Sequence, residues 1–229
     1  MKDKKVFYTE LNYVFGILIL ALGTALMERA NFGLSMVVAP AYLIHRKVSE
    51  ILPWFTFGVA EYCLQAVILM LMSILARKVK LRYLLSSITA VFYGLVLDMW
   101  IWVVGFITFD GIIARLIFFI IGELACSFAI SLLFHTYITP EAYELFVKEF
   151  SEIYKTNINK TKMVYDISSL IISVILSFIF FGLWHFEGIS YGTVICALVN
   201  GVLIGTISKW LESKFEFKDG LKLRSIYEK

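Results

Sequence analysis

The chain has 229 residues, 60% of them hydrophobic and 17% charged, with a formal net charge of +3. A soluble domain sits near about 45–50% apolar, so this composition excludes an ordinary water-soluble domain. The small net charge gives no ground for a nucleic-acid partner. The apolar excess comes in helix-length blocks, which is the pattern of a polytopic membrane protein.

The N-terminal run MKDKKVFYTELNYVFGILILALG has basic residues before an apolar stretch and so imitates a signal peptide. No small-x-small cleavage site follows and further spans do, so it reads as a retained first helix over about 11–28. The stretch ERANFGLSMVVAPA, Glu28 to Ala41, then breaks the helix at Asn31 and Gly33 and is interrupted again at Pro40. Fourteen residues at helical rise span about 21 Å, short of the roughly 30 Å hydrocarbon core. The piece over 31–44 is therefore expected to be a short or re-entrant element, buried by the rest of the chain. The next span covers 54–76, with Pro53 suited to its first turn. Further spans cover about 83–107 and 112–137, with a turn at Asp110-Gly111 between them.

The segment 140–159 differs. Ala142, Tyr143, Phe146, Val147, Phe150, Ile153 and Tyr154 recur at three- and four-residue steps among Glu and Lys. That spacing predicts an amphipathic helix too charged to span, lying in the interface or capping the bundle. The last spans are about 163–185 and 189–211, and the tail from Lys214 is polar and basic. With both termini inside and neither short element crossing, only Arg29, Arg46, Lys47 and Arg115 of the 21 Lys and Arg fall outside, as the positive-inside bias requires.

An internal period of about 106 residues is present. Gly16 meets Gly122, Glu61 meets Asp166, Gly94 meets Gly201 and Asp98 meets Gly205. Each half reads span, short element, span, span. Three spans per half is odd, so the second half enters from the opposite side and the repeat is inverted, a plan that places a site near the midplane between the halves. The expected fold is all-α: about six transmembrane helices in two inverted pseudo-repeats, each with one short non-spanning helix. It forms a single membrane domain over 1–229, with repeat 1 about 11–107, repeat 2 about 112–211 and a cytoplasmic tail 212–229.

The run GTALMERANFGLSMVVAP resembles the signature A-L-x-x-x-A-N-x-G-x-S-P after the first helix of the YczE/YitT-like bacterial integral membrane proteins. The closing KMVYDISSLIISVIL and GISYGTVICALVNGVLIG are similar to that family's last helices, which read G-x-G-T-x-x-x-A-L-x-x-G-P-x-I. The resemblance covers nearly the whole chain. It implies a multi-pass protein of the bacterial plasma membrane, often taken for a transporter, and carries no catalytic residue across. Met36 and Val202 stand where the family has proline, which removes the helix-breaking residue at both points.

Ionisable groups inside spans are costly and usually face the bundle interior. Glu61, Asp98, Glu123 and Asp166 are the candidates, with Glu28 at the mouth of the break. As functional groups they would line a cation or proton path; otherwise each is a neutral acid bonded to a neighbouring helix. Asn31 and Ser35, placed at the start of the short helix, would offer free amides to an anionic ligand group or simply cap the helix. Asn200 with Gly201 and Gly205 forms a small-residue face, read as close helix packing ahead of ligand approach. Cys63, Cys126 and Cys196 lie far apart inside spans and read as packing residues. His45, His135 and His185 show no metal-ligand spacing, and no GxSxG, Walker A or dinucleotide turn is present, so no metal, cofactor or catalytic residue is expected. The expected activity is secondary transport or export of a small organic solute, coupled to protons or cations through the buried acids. The rival is a non-transporting accessory protein docking through the amphipathic helix and basic tail. The expected partners are the lipid bilayer and an unidentified small solute, with a homo-oligomer compatible with either reading.

Overall fold

The computed structural model describes residues 4–108, 111–184, 186–221 and 224, so Asp110 of the expected turn and His185 lie outside the described residues. Among them the chain forms β1 (Lys5–Tyr8), α1 (Thr9–Ala30), α2 (Ala39–Val48), α3 (Phe57–Ala76), α4 (Leu81–Gly105), α5 (Ile112–Leu133), α6 (Ala142–Tyr154), α7 (Ile158–Phe181), α8 (Tyr191–Lys214) and β2 (Phe215–Lys218). The helices α1, α3, α4, α5, α7 and α8 are long and apolar enough to cross a bilayer. The chain is thus an all-α, multi-pass membrane protein, as its composition indicates.

Helix α1 ends where Asn31 turns left-handed at φ 52°, and its N–H closes the last turn on Met27 and Glu28 carbonyls. Arg77 and Lys155 end α3 and α6 in the same way. Two proline expectations shift. Pro40 does not interrupt a helix but sits at the start of α2, where its missing N–H costs nothing. Pro53 lies in the turn before α3, and the true cap is Thr56, whose Oγ1 accepts from Val59 N at 3.2 Å. Helix α8 runs unbroken through Val202, in keeping with the absence of a proline there.

The centre is an antiparallel pair, α1 against α5. Gly23 and Gly122 meet so closely that a Cβ on either would press on the other's carbonyl oxygen. Two turns toward the termini, Gly16 lies on Ala129 and Leu133, and a turn further on Asn12 donates to His135 O at 3.4 Å. The contacts reciprocate under the repeat. Gly16 lies on Ala129 as its counterpart Gly122 lies on Gly23, the counterpart of Ala129. Such each-to-each contact marks a two-fold axis between the halves. Around this pair, α4 packs on α1 and α8 on α5, while α2 packs on α7 of the other half and α6 on α3 of the other half.

The symmetry fails at one place. Gly58 and Gly94 bring α3 and α4 into backbone contact, but Gly201, counterpart of Gly94, has open space around it, as does Gly205. Helices α7 and α8 have almost no mutual contact. Of the small-residue face expected to pack a helix, Gly201 and Gly205 therefore meet none among the described residues.

Two features go beyond the sequence. Helix α6 is the expected short amphipathic helix, and its first turn docks inside the bundle. The N–H of Ala142, its first residue, donates to Gln65 Oε1 at 3.2 Å, and Gln65 is well inside the 20-residue α3. Helix α6 starts within the bundle and runs out to the end that carries both termini. There the fully buried Glu149 accepts from Arg82 Nη1 (2.9 Å), Tyr83 Oη (3.0 Å) and Lys80 Nζ. Burial alone would raise the Glu149 carboxyl; the hydrogen bonds from Lys80 and Tyr83, with the charges of Lys80 and Arg82, outweigh it and hold the group below its usual range. The tail is not free either. β2 pairs in parallel with β1, Lys5 opposite Phe215 through Tyr8 opposite Lys218, and Glu10 accepts from the N–H groups of Gly220 and Leu221 at 2.8–3.1 Å.

Without a hydrophobic drive between helices in lipid, close packing of small residues holds the pair together. Gly122→Val should cost about 1–3 kcal/mol by overpacking, read as a lower unfolding midpoint in detergent. Gly201→Ala, in open space, should leave that midpoint unchanged or raise it slightly, since alanine favours helix by about 1 kcal/mol over glycine. Equal losses in both would refute the central glycine contact.

Candidate functional site: a buried acid cluster between the halves

Helices α3 and α6 run in the same direction, and a helical side chain leans toward its own N-terminus. Tyr143, in the first turn of α6, therefore reaches past Gln65 to Glu61. Its hydroxyl donates to Glu61 Oε2 at 2.8 Å, and Gln65 Nε2 donates to the same oxygen at 3.4 Å. Glu61 and Gln65 are 0% exposed, and Glu61 Oε1 has no hydrogen-bond partner. Glu141, the residue before α6, is 8% exposed and its Oε1 is also unpartnered. Burial, then the charges of Glu61 and Glu144, push the Glu141 carboxyl well above the usual carboxylate range. Burial and the same Glu61 push the Tyr143 hydroxyl well up too, so it stays a donor. Two buried carboxyl groups, one from each half, thus feel each other's charge, with too few donors to satisfy both as anions.

A polar file leads away from this cluster across the centre. Tyr93, fully buried on α4, lies within range of the charges of Glu61 and Glu141 without a hydrogen bond to either. Its hydroxyl bonds Thr24 Oγ1 on α1 at 3.1 Å, and Thr24 faces Cys126 Sγ on α5 at 3.9 Å. Cys126 is in turn coupled to Glu123 and Glu141. Glu123 is 5% exposed with neither oxygen in a hydrogen bond of standard geometry, and the thiol of Cys196 on α8 is the polar group beside it. All three cysteines are free.

The remaining sequence candidates fall elsewhere. Asp98 accepts from Thr56 Oγ1 at 2.5 Å and Gly58 N at 2.8 Å, so it closes the N-terminus of α3. Asp166 pairs with Lys162 at 3.7 Å, and Lys162 also holds Glu144 at 3.0 Å, near the start of α7. Asn200 accepts from Ser127 at 2.9 Å and ties α8 to α5. Glu28 is half-buried at the far end beside Tyr42, whose hydroxyl burial and then the Glu28 charge push up to about 12. Asn31 closes α1 instead of opening α2, and its carbonyl accepts from Arg115 Nη2 at 2.9 Å. Ser35 lies in the turn before α2, its carbonyl accepting from Val38 and Ala39 N. The amides of that break are turned to the other half: Leu34 N donates to Gly188 O and Gly192 N to Phe32 O. Gly33, at φ 108°, sits so close to Thr193 and Ser190 that a side chain there would collide.

Sequence reasoning found Glu61 and Glu123 but missed Glu141, Tyr143 and Gln65. The signal for Gln65 was its position four residues after Glu61, on the same helical face. Glu141 was hidden because the charged face of an amphipathic helix ordinarily meets water.

A carboxyl group that is protonated in the fold and ionised when unfolded makes stability fall as pH rises. The contribution of Glu141 is complete below its unfolded value near about 4.3 and declines as pH climbs toward its raised folded value, by at most about 1.4 kcal/mol per pH unit. Glu141→Gln should flatten that decline, seen in unfolding midpoints measured from pH 5 upward. An unchanged slope would show that Glu141 is ionised in the fold.

No curated protein and no solved structure matches the chain. The model of the family of unknown function DUF6198 matches residues 7–209, nearly the full set of helices described above. The chain belongs to that family.

Proposed function

We propose that the chain is a secondary transporter or exporter of a small organic solute in the bacterial plasma membrane, with both termini cytoplasmic and with proton coupling through its buried acids. The observation that carries this reading is the burial of Glu61 and Glu141, one from each half, within reach of each other's charge and each with an unpartnered oxygen. A proton held there is lost only when the contact between α3 and α6 opens to water. In an inverted-repeat protein, rocking of one half against the other is the motion that opens such a contact. The file through Tyr93, Thr24 and Cys126 to Glu123 gives the second half its own acid on the same line. The distribution of basic residues supports the orientation, and the resemblance to YczE/YitT-like proteins supports the cellular setting.

The rival accessory role needs a free docking face. The first turns of α6 are buried by α3, α4 and α7, leaving only Ile153 and Tyr154 of its apolar stripe exposed, and the start of the tail is paired with β1. Both speak against docking through them. Proteoliposomes loaded with candidate solutes test the proposal. Counterflow should appear for at least one compound, respond to an imposed pH gradient, and lose that response in Glu61→Gln, where the amide oxygen still accepts from Tyr143. Folded protein that moves no compound across a broad panel would end the transport reading.

A further inference from the structure

A cavity of about 680 Å³ opens at the end of the bundle that carries the termini, far from Glu123. Its floor is Arg82 of α4 and Lys148 of α6; one wall is Lys162 of α7, and the other is Gly201, Gly205 and Ser208 of α8. Glu144 is the acid in the lining, and Lys162 already holds it. Arg82 gives one guanidinium nitrogen to Glu149, while its buried Nε has no partner. Ser208 Oγ is likewise buried and unpartnered. Lys148 is exposed and makes no ion pair among the described residues. The cavity thus combines a cationic lining with a cleft between α7 and α8 bordered by glycines that have open space around them.

We propose that this cavity binds one anionic phospholipid of the adjoining leaflet. The phosphate lies against Arg82 and Lys148, and an acyl chain lies in the cleft over Gly201 and Gly205. Two physical reasons favour a lipid over a soluble anion. The cations of the lining, Arg82, Lys148 and Lys162, outweigh its one acid, Glu144, and a phosphate ester supplies several acceptor oxygens to them at once. The cleft, in turn, continues from the charged floor up between two lipid-facing helices that barely touch, so it offers an acyl chain a path that a soluble anion would leave unfilled. The site stands apart from the Glu61–Glu141 pair and does not depend on transport.

The test uses full-length protein in a neutral detergent, with bound lipid counted by native mass spectrometry and stability followed by thermal shift. Phosphatidylglycerol should remain bound at one per chain and raise the unfolding midpoint, whereas phosphatidylcholine should do neither. Lys148→Gln should weaken phosphatidylglycerol about fivefold, the loss of one cation at an anionic headgroup. Gly205→Leu, whose added side chain enters open space, should keep the lipid-free midpoint and lose the lipid. Lys209→Gln, a basic change outside the lining, should bind as the unaltered protein does. The proposal fails if phosphatidylcholine binds equally, if Lys209→Gln weakens binding as much as Lys148→Gln, or if inorganic phosphate alone protects Gly205→Leu as strongly as phosphatidylglycerol protects the unaltered protein.

Discussion

Backbone that stops being helical inside a bilayer must find its hydrogen-bond partners within protein, and this requirement organises the molecule. The chain leaves helical geometry at 31–38 and again before α6. In both places the other half supplies the partners. Gly188 and Gly192 serve the first break by backbone contact, and Gln65 serves the second through its side-chain oxygen. Each short helix then packs on the third helix of the opposite half. The halves are therefore held together twice over, by the glycine crossing of α1 and α5 and by this exchange of short helices. Separating them would expose orphaned amides as well as apolar surface.

The same exchange explains why the acids sit where they do. A helix that begins within the bundle brings a positive dipole end and free N–H groups to that depth. At α6 those groups face Gln65 and the Glu61 region. At α2 the corresponding depth is lined by small residues, and α7 buries Ser169, Ser173 and Ser177 at four-residue steps. One short helix thus meets carboxyl groups and the other meets hydroxyls and backbone. The two halves share a scaffold but not a chemistry, so a proton stored at the α6 side has no equal across the axis.

Much of this was legible in the sequence, because lipid makes few and strong demands. All six spans, both short helices and the period show through in hydropathy and glycine spacing. Glu61 and Glu123 were visible because an acid in an apolar run is rare. What remained hidden depends on contacts distant in the chain. The β1–β2 pair joins residues 5–8 to 215–218, and neither stretch has the length or alternation to announce a strand alone. Glu141 and Tyr143 belong to a helix whose charges suggest a surface, and only its docking on α3 puts its first turn indoors. Asp98 was one candidate for a path, because sequence gives its depth but not that Thr56 and Gly58 await it. Gly201 and Gly205 look like a packing face for the same reason, since a sequence marks small residues without saying what approaches them.

The departure from symmetry at α7 and α8 follows from a small set of side chains. In the first half, Gly58 meets Gly94 and Asp98 bridges to the start of α3, so α3 and α4 close on each other. In the second half, Gly201 keeps the small residue, but Gly205 stands where Asp98 would be and offers no carboxylate to reach across to α7. Without that bridge the glycine has nothing to draw its neighbour in, and the helices part. The first half is thereby the stiffer body and the second the one with room between its helices. Motion between halves would be taken up at α7 and α8, next to the cationic cavity and away from Glu61. A protein built this way carries Glu61 on its stiffer half and the cationic cleft on its yielding half. Filling that cleft would then govern how freely the two halves move past each other.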